Sequence, residues 1–332
     1  MITFLMQDSN WLPVVFAFLM GVAMLAYVIL DGYDLGVGIL LGRGTPVEKD
    51  VMIASIGPFW DANETWLVLG VGILLVAFPM AHGIILTGLY LPVALMLTGL
   101  ILRGVAFDFR AKAHVDHKEW WDRCFFLGSL LAALSQGYML GLYIVGFEET
   151  HSNVLFSLIT AFFLAAGYTL VGSGWLMMKT TGALQKKAVS WAKKSLWITA
   201  GGLALVSLVT PLVSARIFEK WFTLPAFVFL LPIPVFTAVL ILYVHQALKK
   251  LPAQNDKKCW VPFVGAMGIF MLGFMGLAYS FFPYIVPDRL TIWEAASAPE
   301  SLKIILIGAV IVLPCILGYT VYVYRVFWGK VQ

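Results

Sequence analysis

Four carboxylates and one guanidinium stand in stretches otherwise apolar enough to cross a bilayer: Asp31 and Asp34, Asp61 and Glu64, and Arg103. An acid at the centre of a membrane helix costs about 2.5–3.5 kcal/mol or more, so such groups default to a functional reading with a named partner. Each acidic pair is spaced i, i+3, which sets both carboxyls on one helix face. Burial favours the protonated acid and a nearby guanidinium favours the carboxylate, so acids in mixed environments suit the passage of protons. The expected chemistry is a proton-uptake or charge-balancing cluster with Arg103 as its charge partner. Plainer readings stand beside it. Asp61 and Glu64 follow Gly57-Pro58 and fall in the first two turns of their helix, where the dipole favours negative charge, so a capping role explains them too. Asp31 and Asp34 lie toward a helix C-terminus, where the dipole disfavours carboxylates, and an ion pair with Arg103 is the alternative there.

The elements that position these groups follow from composition. Of 332 residues, 61% are hydrophobic and 12% charged, with a mean hydropathy of +0.90. Soluble domains carry roughly 45–50% apolar and about 25% charged residues. A soluble enzyme, a disordered chain and a nucleic-acid binder with a basic face are excluded. Apolar runs of about 20 residues, enough for a helix to span about 30 Å of hydrocarbon, recur at Pro13–Leu41, Pro58–Phe78, Gly83–Leu102, Trp121–Ile144, Val154–Met178, Leu196–Ala215, Phe222–His245, Trp260–Pro283 and Leu302–Arg325. The segment before the first run is acidic and free of Lys and Arg, unlike a cleaved leader, so that span is expected to be retained. With the N-terminus periplasmic and the C-terminus cytoplasmic, all of the 22 Lys and Arg except Arg216, Lys220, Arg289 and Lys303 fall on the cytoplasmic side, as the positive-inside rule requires. Arg103 is expected at the inner end of the third span, within reach of all four acids.

The fold expected is all-α: nine transmembrane helices in two four-helix bundles, related by parallel duplication, plus one peripheral helix. The evidence for duplication is an echo. Gly32-Tyr33-Asp34-Leu35-Gly36-Val37-Gly38 closes the first span and Gly167-Tyr168-Thr169-Leu170-Val171-Gly172-Ser173-Gly174 closes the fifth, with one residue inserted. Four spans separate the copies, so both run in the same sense, unlike the inverted repeats of many transporters. Glycines that merely let helices pack closely are the alternative. The units expected are 1–145, carrying the buried acids, 146–290, and 291–332 for the last helix and tail.

The five histidines, His82, His114, His117, His151 and His245, fall in loops or at helix ends, whereas a membrane haem needs an axial His or Met inside the bundle. The Met267, Met271, Met275 stripe reads as flexible packing. Cys124, Cys259 and Cys315 have no metal-binding spacing. Trp60 and Trp66 flank the acids of the second span, where packing or the lining of a path explains them; Trp11, Trp120, Trp121, Trp221, Trp260 and Trp328 read as interface anchors.

The stretches Asp31-Gly32-Tyr33-Asp34-Leu35-Gly36-Val37-Gly38, Gly57-Pro58-Phe59-Trp60-Asp61-Ala62-Asn63-Glu64-Thr65-Trp66 and Leu102-Arg103-Gly104-Val105-Ala106-Phe107-Asp108-Phe109-Arg110 resemble the signature segments of subunit II of cytochrome bd-type quinol oxidases. Beyond residue 125 the resemblance rests on helix count and order. It implies a bacterial inner-membrane respiratory complex that passes electrons from quinol to O2, with two b-type haems and one d-type haem held by subunit I and no haem or metal ligated by this chain. Asp61 then corresponds to the acid ascribed to proton uptake, Trp66 to the mouth of an oxygen passage, and Asp31 and Asp34 to the conserved-motif acids of the first span, with Glu64 beside them. Trp60 and Asn63 are expected to pack or to meet the partner. Ala62 stands where many relatives have Gly, and Glu64 where some have Gln. The same resemblance leaves room for a small third subunit, bound lipid or quinone, and either cyanide-sensitivity branch. The competing class is a proton-coupled secondary transporter using the same acids, against which stand the odd helix count and the parallel repeat. A structural anchor with ion-paired acids is the third.

Overall fold

The computed structural model describes residues 10–252 and 258–331. Among them, nine helices are long and apolar enough to cross a membrane. The expectation about the leader rests on residues 1–9 and, like Lys257, lies outside the described residues.

The chain begins with α1 (Trp11–Leu41), a span whose last third is buried all round. A short helix α2 (Pro46–Ile56) follows; Thr45 and Glu48 form a reciprocal capping box at its start and Pro46 occupies the first helical position. Then come α3 (Trp60–Ala77), α4 (Pro79–Gly88), α5 (Tyr90–Lys112), α6 (Val115–Ile144) and α7 (His151–Lys179). The sixth and seventh spans are α8 (Gly182–Val213) and the joined pair α10 (Ala226–Leu230) with α11 (Pro232–Lys249). Between them lies the amphipathic turn α9 (Ala215–Phe222). The eighth span is α12 (Val261–Phe281). A two-stranded antiparallel hairpin, β1 (Tyr284–Val286) with β2 (Leu290–Thr291), leads into the last span, α13 (Pro299–Val326).

The stretch between the first two spans is helical, signalled by Thr45-Pro46-x-Glu48. One expectation from sequence is corrected: the third span starts at Tyr90 and runs to Lys112, and α4 takes up the residues before it. Hydropathy sees one unbroken apolar run there; the break falls at Leu89, between helices that open with Pro79 and carry Pro92 in the first turn. The shift matters for the site. Arg103 stands nine residues before the end of α5, about 14 Å into the helix at 1.5 Å per residue, and not at its inner end.

The core forms where α1 crosses α7, and the two halves of the echo meet there. A Cβ on Gly36 would fall 1.9 Å from the carbonyl oxygen of Tyr168, and one on Gly172 would fall 2.6 Å from the Gly36 carbonyl carbon. Only glycines permit this backbone contact. On the outer flanks Gly38 abuts Ser129 of α6 and Gly174 abuts Phe263 of α12. Tyr33 stacks on Trp175 with ring centroids 4.3 Å apart. Around the crossing, α1 packs on α3 and α6, and α5 on α6; correspondingly, α7 packs on α8 and α12, and α11 on α12. By contrast α13 buries only Leu302 and Val323 among its side chains.

The end of the molecule opposite the start of α1 is braced by ion pairs. Arg110 bonds Asp122 and, at 2.9 Å, Asp50; Lys49 reaches Asp122 at 3.1 Å, and Lys187 reaches Glu48 at 2.7 Å. The Lys187 hydrogen bond holds the Glu48 carboxyl below its ordinary pKa, with the Thr45 backbone adding to the effect. These bonds tie α2 to α5, α6 and α8. At the other end Lys220 donates to the carbonyls of Tyr279 and Phe282, and Arg216 to that of Ser280, so cations meet the C-terminus of α12. Desolvation, with Arg216 nearby, lowers the Lys220 pKa to about 8.

Candidate functional site

Three helices bring the charged groups together. Asp31 and Asp34 come from α1, Glu64 from the second turn of α3, and Arg103 from the middle of α5. Both aspartates are wholly buried and Arg103 is 1% exposed. Arg103 Nη1 donates to Asp31 Oδ1 at 2.7 Å and Nη2 to Glu64 Oε2 at 2.9 Å. A guanidinium has five N–H donors in a planar fork and stays protonated, so Arg103 joins a deep acid to a shallower one without itself relaying a proton. The Glu64 side chain is 28% exposed, the most accessible of the grouped charges. Trp60 lies under the guanidinium, 5.9 Å from ring centroid to Cζ, and is held there by Phe107.

Asp34 is held separately. Asn63 Nδ2 donates to Asp34 Oδ2 at 2.8 Å and to Tyr33 Oη at 2.7 Å. Tyr324 of α13 donates to Asn63 Oδ1 at 3.2 Å and lies 2.7 Å from the Tyr33 hydroxyl. On the other side of Asp31, one turn earlier on α1, Tyr27 accepts from Gln136 Nε2 at 2.7 Å, and Tyr168 donates to Gln136 Oε1 at 2.6 Å. By hydrogen-bond geometry Asp31 Oδ2 and Asp34 Oδ1 are buried without a partner among the described residues, with Tyr27 close to Asp31.

The sequence-predicted residues divide accordingly. Asp31, Asp34, Glu64 and Arg103 converge as expected. Asp61 does not join them: its side chain is exposed and makes no ion pair among the described residues. It lies in the first turn of α3, where the local field suits a carboxylate, but it makes no capping hydrogen bond. Asn63, expected to pack or to meet the partner, is packed: it is 1% exposed, and its face of α3 turns to α1, which makes it the hub of the Asp34 contacts. Trp66 packs in the core with Tyr27, Leu67, Met96 and Leu100. The sequence reading gave no site role to Tyr27, Gln136, Tyr168 or Tyr324. The i, i+4 spacing of Tyr27 and Asp31 and the place of Tyr168 in the echo, matching Tyr33, were legible signals; Gln136 and Tyr324 come from distant elements and had none.

His114, His117 and His151 are exposed at helix starts, Met271 and Met275 are exposed, and a cavity of about 230 Å³ at the ion-paired end is lined by Ala54, Phe59, Lys179, Phe327 and their neighbours without a His or Met. Among the described residues no group of three His, Cys, Asp or Glu can hold a metal ion.

A family model described as cytochrome bd terminal oxidase subunit II matches residues 12–327. The chain is 28% identical over 370 positions to cytochrome bd-I ubiquinol oxidase subunit 2 of Escherichia coli K12, covering 98% of this chain and 97% of that one. It is 30% identical over 338 positions to cytochrome bd ubiquinol oxidase subunit 2 of Bacillus subtilis 168, covering 95% of each. The bd oxidase structure from Geobacillus thermodenitrificans superposes with a TM-score of 0.79 at 14% identity, covering 95% of this chain and 98% of that one; at that identity the likeness is one of fold. The chain belongs to the cytochrome bd terminal oxidase subunit II family and is a membrane subunit of a respiratory oxidoreductase complex that includes a subunit I.

Proposed function

We propose that this chain conducts protons from the cytoplasm toward quinol-driven O2 reduction at the two b-type haems and one d-type haem of the partner subunit. The observation that carries the reading is the series of acids graded in depth. Asp61 is exposed, Glu64 is 28% exposed, and Arg103 connects Glu64 to the wholly buried Asp31. Acids at membrane depth that keep an unpartnered oxygen are costly, and a proton that comes and goes gives that cost a purpose. In this scheme Asp61 collects protons at the surface, Glu64 passes them inward, and Asp31 and Asp34 hold them. Trp66, buried beside Tyr27, forms a wall of the oxygen route.

The concentration of Lys and Arg at the α2 end supports placing that end in the cytoplasm of a bacterial inner membrane. The repeated packing of α3 and α6 on α1 and of α8 and α12 on α7 supports units 1–145 and 146–290, with 291–332 added. Gly72 on α3 and Gly308 and Gly318 on α13 meet nothing within 4 Å, and these smooth apolar faces suit a second membrane subunit.

Asp61→Asn in the purified complex tests the proton reading. An amide keeps the shape but cannot relay a proton. Turnover of quinol with O2 is expected to fall about a hundredfold, the lower end for losing a proton-transfer group, with haem content and yield unchanged. Loss of the assembled complex instead would assign Asp61 to folding.

A further inference from the structure

The amide of Asn63 is the meeting point of three helices. Its nitrogen donates to the Tyr33 hydroxyl at 2.7 Å and to Asp34 Oδ2 at 2.8 Å, with the Leu30 carbonyl farther off at 3.4 Å. Its oxygen accepts from Tyr324, and the two tyrosine hydroxyls lie 2.7 Å apart. The bonds close a ring: amide nitrogen to Tyr33, Tyr33 to Tyr324, Tyr324 to amide oxygen. Each hydroxyl donates once and accepts once.

A carboxamide is a donor on one side and an acceptor on the other. With Nδ2 toward Asp34 the ring serves a carboxylate. A protonated Asp34 needs an acceptor at the same place, and a half-turn of the amide supplies one. The ring then runs in the opposite sense: Nδ2 donates to Tyr324, Tyr324 to Tyr33, and both Tyr33 and the Asp34 O–H donate to Oδ1. One proton has been added at Asp34 and none has left the ring. Each hydroxyl can donate or accept, so both amide orientations stay paired at both ends; without Tyr324 either orientation leaves the far end of the amide unpaired, which the interior penalises, and without Tyr33 the near end keeps Asp34 alone.

We propose that Tyr33 and Tyr324 are positioning residues for Asp34, and that the ring they close with Asn63 lets Asp34 gain and lose a proton at constant hydrogen bonding. The inference rests on the reading of Asp34 as a proton carrier.

Tyr33→Phe and Tyr324→Phe in the complete oxidase test it, because both keep the aromatic contacts, Tyr33 on Trp175 and Tyr324 against Phe59. Each variant is expected to slow quinol-driven O2 consumption about five- to tenfold, the equivalent of one neutral hydrogen bond. The solvent deuterium isotope effect should rise and the haem spectrum stay unchanged, and the double variant should be no slower than either single, since a ring opens only once. If Tyr324 merely anchors the last helix, its variant loses yield or heat stability at an unchanged isotope effect, and the proposal falls. Should Tyr324→Phe not assemble, Tyr33→Phe, which leaves α13 untouched, decides alone. Asp34→Asn separates the two levels. A wild-type rate for it overturns the proton reading, whereas a slow Asp34→Asn beside two normal tyrosine variants overturns the ring alone.

Discussion

Replacing Arg103 by Met should be the most damaging single change to this cluster, and the geometry gives its size. Met keeps most of the side-chain volume and removes the charge. At 2.7 Å from Asp31, the ion pair has a gross attraction of about 6 kcal/mol with an effective dielectric constant of about 20. That attraction offsets a desolvation cost of several kcal/mol for each ion. Removing the cation leaves the cost at Asp31, which is wholly buried and has no other charge partner among the described residues. Breaking a buried pair in this way costs about 3–5 kcal/mol. Glu64 loses the same partner but is 28% exposed, so water takes over much of its solvation. The assay is retention of haem absorbance and oxidase activity by the purified complex on heating, for Arg103→Met, Asp31→Asn and the double variant. The double variant removes both the cation and the stranded anion, and it should recover most of the stability lost by Arg103→Met. A double variant as labile as Arg103→Met would refute the argument, since the damage would then come from lost packing and not from an uncompensated charge.

Two further outcomes are expected. The Glu48 pKa lies below its ordinary value because of Lys187, so the α2 clamp is fully formed above the usual carboxylate range and is lost as pH falls through the depressed pKa; amide protection across residues 42–57, corrected for the intrinsic exchange rate at each pH, should fall on acidification in the native chain and show no such step in Glu48→Gln. Trp66→Ala should raise the O2 concentration needed for half-maximal turnover or lower the maximal rate at saturating O2, and an unchanged O2 dependence would leave Trp66 as core packing.

The site was half legible before the fold was known. Acids in an apolar run advertise themselves, because the bilayer makes each one costly, and a single long-range cation was the natural partner; Asp31, Glu64 and Arg103 met on that logic. Asp61 stands outside the buried cluster, because exposure depends on the direction a side chain takes around its helix and position along the helix does not fix it. Asn63 carried no charge and so was read only as packing or partner contact, yet its uncharged amide reaches more of the cluster's partners than any carboxylate does. Tyr324 lies 261 residues away from it, and no local pattern could have brought the two together.

The sequence alone determined the solvent in which this chain folds and the number of its long apolar helices, since each is summed over many positions and tolerates local error. It also pointed to the glycines of both motif copies, though not to their meeting at one crossing. Only the tertiary structure decided which atoms pair: the break at Leu89 that carries Arg103 to mid-helix, the Tyr33–Asn63–Tyr324 ring and the Tyr168–Gln136–Tyr27 chain. The physical reason is one of range. Hydropathy and charge bias act residue by residue, while a hydrogen bond is made or lost within a few tenths of an ångström, and that precision comes from how several helices pack at once.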